Sequence, residues 1–263
     1  MPNRRRFIAL AATAAAAFSM PAFAVGALVE LELVARDRGE ALPTYTHRGT
    51  TWVAGRPGGR YAVRLTNRSG ARVLVVLSVD GVNAVSGETA ATGQTGYVLG
   101  PWQTTEITGW RKSLTEAAAF YFTALPDSYA ARTDRPDNVG VIGVAVFRER
   151  GREVLMRRPA DDEPRVAQGA AEAERADRAS SASPAPSAKA AARDERLGTG
   201  HGEREYAPTT QTSFERASER PAEVVRLRYD SAENLLAAGV VPRPRRGPVM
   251  PEPFPVFVPD PKG

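Results

Sequence analysis

The stretch Tyr61-Ala62-Val63-Arg64-Leu65-Thr66-Asn67-Arg68-Ser69-Gly70-Ala71-Arg72-Val73-Leu74-Val75-Val76-Leu77-Ser78-Val79-Asp80-Gly81-Val82-Asn83 decides the fold class. Its first six residues alternate, which places Tyr61, Val63 and Leu65 on one face of a strand and Arg64 on the other. Asn67 to Gly70 is turn chemistry. Arg72 to Val79 is a nearly continuous apolar strand, the pattern of a central or doubly covered position. Asp80-Gly81 then supplies a tight hairpin turn into Val82 to Val85.

The same grammar continues on both sides. Leu28 to Leu33 alternates, and further strands are expected over Thr51 to Ala54, Gly96 to Leu99, Thr104 to Thr108, Ala118 to Thr123 and Val139 to Arg148. Many short strands separated by turn signals, with almost no helical periodicity, predict a mainly β fold. The architecture expected is an antiparallel β-sandwich of the jelly-roll or immunoglobulin-like kind over residues 25–158.

Composition narrows what such a domain can do. The 263 residues are 42% apolar, enough for a core, and contain no cysteine and only two histidines, His47 and His201. Disulfides, thiolate metal sites, thiol nucleophiles and a three-histidine metal site within one chain are therefore excluded. No cofactor motif is present, and no cofactor or metal is expected. The residues do not match a nucleophile elbow, a His-Glu-x-x-His helix or a Ser-x-x-Lys motif.

The net charge of +5 is mostly a matter of address. Arg4, Arg5 and Arg6 precede the alanine-rich run Phe7 to Met20 and then Pro21-Ala22-Phe23-Ala24, the order of a secretory signal peptide with Ala22 and Ala24 at the cleavage positions. Asn3-Arg4-Arg5-Arg6-Phe7-Ile8 resembles a twin-arginine leader, which would carry the domain across the membrane folded; the general secretory route is the alternative. Without those three arginines, 32 basic residues face 30 acidic ones. A periplasmic or secreted protein is expected, with no nucleic acid partner and no stable membrane span after cleavage.

Beyond the sandwich the chain changes character. Residues 159–200 are rich in alanine, charge, serine and proline and read as a disordered linker. Leu197-Gly198-Thr199-Gly200-His201-Gly202 has the glycines of a phosphate-cradling loop without its lysine or its strand and helix, and reads as a hinge. Residues 201–241 hold a strand, Glu223 to Tyr229, and a short helix capped by Asp230, with Glu233 at its third position, and closed by Gly239. Too small to fold alone, this segment is expected to dock on the sandwich as an edge strand or a cover, or to fold on a partner. Residues 242–263 form a proline-rich tail.

Four groups of residues are candidates for chemistry. Arg56, Arg60, Arg64, Arg68 and Arg72 recur every four residues; Arg60 and Arg64 would point away from Tyr61 and Val63, either as a basic patch or as the solvated face of a half-exposed sheet. Trp102 and Trp110 stand at strand ends beside Arg111 and Lys112 and could stack on sugar rings, or fill the core. Asp127, Asp134, Asp137 and Asn138 share a loop that matches no calcium pattern, with Arg132 and Arg135 among them, and internal ion pairs are expected there. Asp80 and Glu88 flank one hairpin as possible paired carboxylates, although the turn already accounts for Asp80.

The segments Ser78 to Asn83, Gly96 to Pro101, Gly109 to Arg111 and Asn138 to Gly143 resemble a group of uncharacterised exported bacterial proteins. The resemblance covers Gly59 to Phe147, implies a β-sandwich and implies no activity. The function expected is a non-catalytic binding or assembly module of the cell envelope, with an envelope protein or glycan as partner and ligand contacts at Trp102, Trp110, Arg111, Arg60 and Arg64. The alternative is a cofactor-independent hydrolase of an envelope polymer, using carboxylates or His201. A third reading is an assembly factor working through its C-terminal strand. The sequence does not fix an oligomeric state.

Overall fold

The computed structural model describes residues 25–151, 165–167 and 196–243. The leader with Ala22 and Ala24, most of 159–200 and the proline-rich tail lie outside the described residues. In chain order the strands are β1 (Val29–Ala35), β2 (Glu40–Ala41), β3 (Thr44–His47), β4 (Thr50–Gly55), β5 (Tyr61–Asn67), β6 (Val73–Val79), β7 (Val82–Asn83) and β8 (Gly96–Leu99). They continue with β9 (Thr104–Ile107), β10 (Gly109–Arg111), β11 (Glu116–Ala124), β12 (Val141–Arg148), β13 (Arg165–Ala167), β14 (Leu197–Tyr206), β15 (Thr210–Thr212) and β16 (Glu223–Ser231). Two short α-helices, α1 (Tyr129–Arg132) and α2 (Ala232–Ala237), complete the described elements together with two 3-10 turns.

The chain is mainly β, as its alternation requires. One long sheet runs β15-β13-β8-β6-β12-β16-β4-β3, with β7 hairpinned onto β6. Facing it are the sheets β2-β1-β5-β9 and β10-β11-β14, which meet through a bridge between Arg60 and Tyr121. Pairing is antiparallel except between β16 and β4 and between β13 and β15. The inner faces share one apolar core. Leu31, Leu33, Val63 and Leu65 from one layer pack with Val75, Leu77, Ile142 and Val144 from the other.

The deciding stretch forms as its chemistry dictates. β6 is buried along nearly its whole length because it lies between β8 and β12 in the long sheet. Val79 pairs with Val82 across a two-residue turn in which Asp80 (φ 53°) and Gly81 (φ 76°) are both left-handed, the geometry of a type I′ hairpin.

Three expectations are corrected at the C-terminal end. The glycine run at 197–202 is the first half of β14, not a hinge: Leu197 to Gly200 are buried, and glycine is needed because a Cβ at Gly198 would lie 2.6 Å from the Cβ of the buried Ser128. β16 is not an edge strand but sits between β12 and β4, its Val225, Leu227 and Tyr229 in the core. Each such side chain contributes about 1.5–3 kcal/mol of burial, which holds the segment to the sandwich. Helix α2 is capped by Ser231, whose Oγ accepts from Asn234 N–H at 3.1 Å. Asp230 instead accepts from the backbone N–H of Leu197 at 3.1 Å, tying β16 to β14. Gly239 (φ 69°) closes the helix as expected.

Candidate functional site

The arginines from 56 to 72 are each neutralised. Arg56 pairs with Asp37, Arg60 with Glu203, Arg64 with Glu106 and Glu32, Arg68 with Glu30 and Arg72 with Glu149. Each acid comes from another segment of the chain, so the sequence repeat conceals a set of cross-strand ion pairs.

The two tryptophans part company. Trp110 is 2% exposed, edge-on to Phe120 and beside Tyr129, and its Nε1 donates to the Gly200 carbonyl at 3.3 Å. Arg111 reaches the carbonyls of Ala207 and Glu116 and so ties β10 to the chain after β14. Trp102 is 65% exposed. It stands at the third position of the turn Gly100–Gln103, after Pro101 and with φ 58°, where a type II turn takes glycine. A tryptophan there costs about 1 kcal/mol in backbone strain. The five residues Trp102, Trp110, Arg111, Arg60 and Arg64 therefore do not converge on one surface.

In the loop 127–138 the described acids form no ion pair. Arg135 donates instead to the Gly87 carbonyl at 3.0 Å and to Thr133 Oγ1 at 2.9 Å, because the helical turns aim it inward at the β7–β8 loop. His201 packs beside the ring of Tyr129. Burial and the nearby charge of Lys112 lower its pKa, and among the described residues no carboxylate bonds to it. No three His, Asp or Glu residues converge as metal ligands among the described residues.

Asp80 is far more than a turn residue. It is fully buried, and its carboxylate collects three chain segments: Oδ1 accepts from Tyr229 Oη at 2.5 Å and Gly140 N–H at 3.0 Å, and Oδ2 accepts from Thr199 N–H at 2.7 Å. Thr199 Oγ1 lies 2.7 Å from both Tyr229 Oη and Tyr61 Oη, so a hydroxyl relay runs from Tyr61 to Asp80. Burial pushes the Asp80 pKa up to about 6 against the lowering effect of those hydrogen bonds, and it lifts both tyrosines well above their ordinary value. Sealed from solvent, this cluster joins β5, the β6–β7 turn, β14 and β16.

The surface that does gather ligand-type side chains is the outer face of the long sheet. The alternation in β16 sends Val224, Arg226 and Arg228 outward, opposite Val225, Leu227 and Tyr229. Register places Arg228 beside Trp52 of β4 and Val141 of β12, and Trp52 beside Tyr45 of β3. Tyr45, Trp52 and Arg228 thus form one row across three strands. Arg226 stands in the next, against Gly143, which offers no side chain to cover it. The Arg228 guanidinium lies 5.7 Å from the Trp52 ring centroid. Neither Arg226 nor Arg228 has an ion pair among the described residues.

The other half of this face is closed. Leu74, Val76, Val98, Ala145 and Phe147 make a second apolar cluster, covered by Phe214. The Arg216 guanidinium lies 4.2 Å from the Phe147 ring centroid and donates to the carbonyls of Gln94 and Thr92. One half of the face is sealed by the 213–217 segment; in the other half Arg226 and Arg228 are exposed, beside the partly buried rings of Tyr45 and Trp52. Sequence reasoning missed this row; the alternation of residues 224–228 signals an exposed pair of arginines, but their neighbours depend on strand order.

Comparison with models of known protein families finds no match to this chain, and neither curated proteins nor solved structures match it.

Proposed function

We propose that the protein is an exported, non-catalytic binding module of the cell envelope, acting through the open half of the long sheet's outer face. The observation that carries this reading is the contrast between two sets of arginines. Those from 56 to 72 are each paired with an acid, whereas Arg226 and Arg228, beside Trp52 and Tyr45, have no acid partner among the described residues. Exposed charge beside aromatic rings on a strand scaffold serves recognition better than stability. The leader sequence, with Arg4, Arg5 and Arg6 and with Ala22 and Ala24 at the cleavage positions, supports an extracytoplasmic location and a partner there, an envelope protein or a glycan. Among the described residues no helix is long and apolar enough to cross a membrane.

The test is retention. Purified exported chain is mixed with insoluble envelope polymer, pelleted, and the supernatant assayed over hours for soluble sugar or peptide. Retention with the polymer intact is the expected result. Steady release of soluble fragments would replace the binding reading with that of a hydrolase.

A further inference from the structure

We infer that the open half of this face binds an acidic polysaccharide, with uronate carboxylates on Arg226 and Arg228 and sugar rings against Trp52 and Tyr45; the inference rests on the binding-module reading. Arg226 and Arg228 are two residues apart on one face of β16, so their forks are separated by about 7 Å along the strand. Tyr45, Trp52 and Arg228 step across adjacent strands at about 4.8 Å each. The row therefore spans roughly 10 Å from aromatic to cation, enough for two linked sugar rings.

Each component fits one feature of such a ligand. A guanidinium presents a planar fork that takes a carboxylate through two parallel hydrogen bonds. The outward edges of the partly buried Tyr45 and Trp52 rings give the apolar C–H faces of a sugar a surface that needs no pocket. Charge complementarity sets the sign, since no outward acid stands in the rows of Tyr45, Trp52, Arg228 and Val141 or of Arg226 and Gly143.

Other occupants fit less well. Nucleic acid gains its affinity from many phosphate contacts, and two arginines are few for that. An extended peptide adds to a sheet edge through its backbone, whereas these residues stand on the face of β16, which has β12 and β4 paired on both sides.

The experiment is affinity electrophoresis of the exported chain through gels containing polygalacturonate, with dextran as the neutral control and single-stranded oligo-dT as competitor. Polygalacturonate is expected to retard the wild type and dextran to leave it unretarded. Arg226→Ala/Arg228→Ala should weaken retardation about tenfold, the combined loss of two exposed charge pairs. Arg60→Ala, which removes a cation paired with Glu203, should leave it unchanged. Matching melting curves of the variants show that folding is intact, as expected for exposed, outward side chains.

Equal retardation of the double variant, equal retardation by dextran, or release of the protein by oligo-dT at a lower concentration than by free galacturonate oligomers would each overturn the inference. So would a change from dimer to monomer in the double variant on sedimentation, which would make the face an interface between copies. Retention on envelope polymer without any retardation by polygalacturonate would sink the acidic ligand and leave the binding module standing. Loss of both would sink the two together.

Discussion

Replacing Asp80 with asparagine and following stability against pH isolates a buried carboxylate that joins three segments of the chain. Its pKa rises from 3.8 to about 6 on folding, chiefly through burial. Between these values the folded state holds a proton that the unfolded state has lost, so the contribution of Asp80 to stability is fully present below about pH 4 and is lost as pH rises through 6. A shift of about 2 units at 1.36 kcal/mol per unit, with pH 4 already just above the unfolded pKa, gives a loss of ~2.5 kcal/mol from pH 4 to pH 7 attributable to this group.

The relay accommodates both states. With Asp80 ionised, Tyr61 donates to Thr199, Thr199 to Tyr229 and Tyr229 to Asp80 Oδ1; with Asp80 protonated, the carboxyl donates to Tyr229 and the hydroxyls reverse along the same 2.5–2.7 Å contacts. Asparagine retains the left-handed turn but cannot titrate. With its oxygen facing Tyr229 and Gly140, its amide meets the N–H of Thr199, donor against donor, at a cost of about 1–3 kcal/mol.

Urea unfolding of wild type and Asp80→Asn from pH 4 to pH 7, read by intrinsic fluorescence, measures the difference between them and cancels the other carboxylates. That difference should change by ~2.5 kcal/mol across the range, with asparagine comparing worst at pH 4. A difference that stays flat to within about 0.5 kcal/mol would refute the reasoning.

Three further outcomes follow from the packing and the leader. Gly198→Ala places a Cβ 2.6 Å from the Cβ of the buried Ser128 and should destabilise by about 1–3 kcal/mol in urea unfolding; an unchanged midpoint would mean that β14 does not pack there. Trp102→Gly relieves a left-handed backbone in an exposed turn and should keep or raise stability by up to ~1 kcal/mol, whereas a loss of 2 kcal/mol or more would give that ring a structural role. Exchanging Arg4 and Arg5 for lysine should abolish export, scored by the fraction of mature chain outside the cytoplasm; undiminished export would assign the leader to the general secretory route.

The fold class was legible because it rests on local patterns. Alternation at Tyr61 to Leu65, the apolar run of β6 and the Asp80-Gly81 turn each determine backbone geometry within a few residues, and the structure places them as read. β14 was not legible, since a strand built of Leu197-Gly198-Thr199-Gly200 has no alternating side chains. Its burial comes from Tyr121, Ser128 and Val139, distant in sequence. The same holds for β3, whose Thr44-Tyr45-Thr46-His47 is short and polar and acquires strand geometry by hairpinning on β4. The central place of β16, the burial of Asp80 and the pairing of Arg228 with Trp52 all follow from strand order, which local pattern does not encode. The repeat of arginines from 56 to 72 illustrates the converse, a conspicuous pattern whose charges are cancelled by acids from elsewhere in the chain.

The central claim, that the open half of the long sheet's outer face is the binding surface, is tested most directly by two-dimensional NMR of the exported chain titrated with galacturonate oligomers. The Trp52 indole N–H and the backbone amides of Val224 to Arg228 should shift progressively and saturably, while the Trp102 indole stays in place. Shifts confined to Trp102, or none at all at saturating ligand, would contradict it.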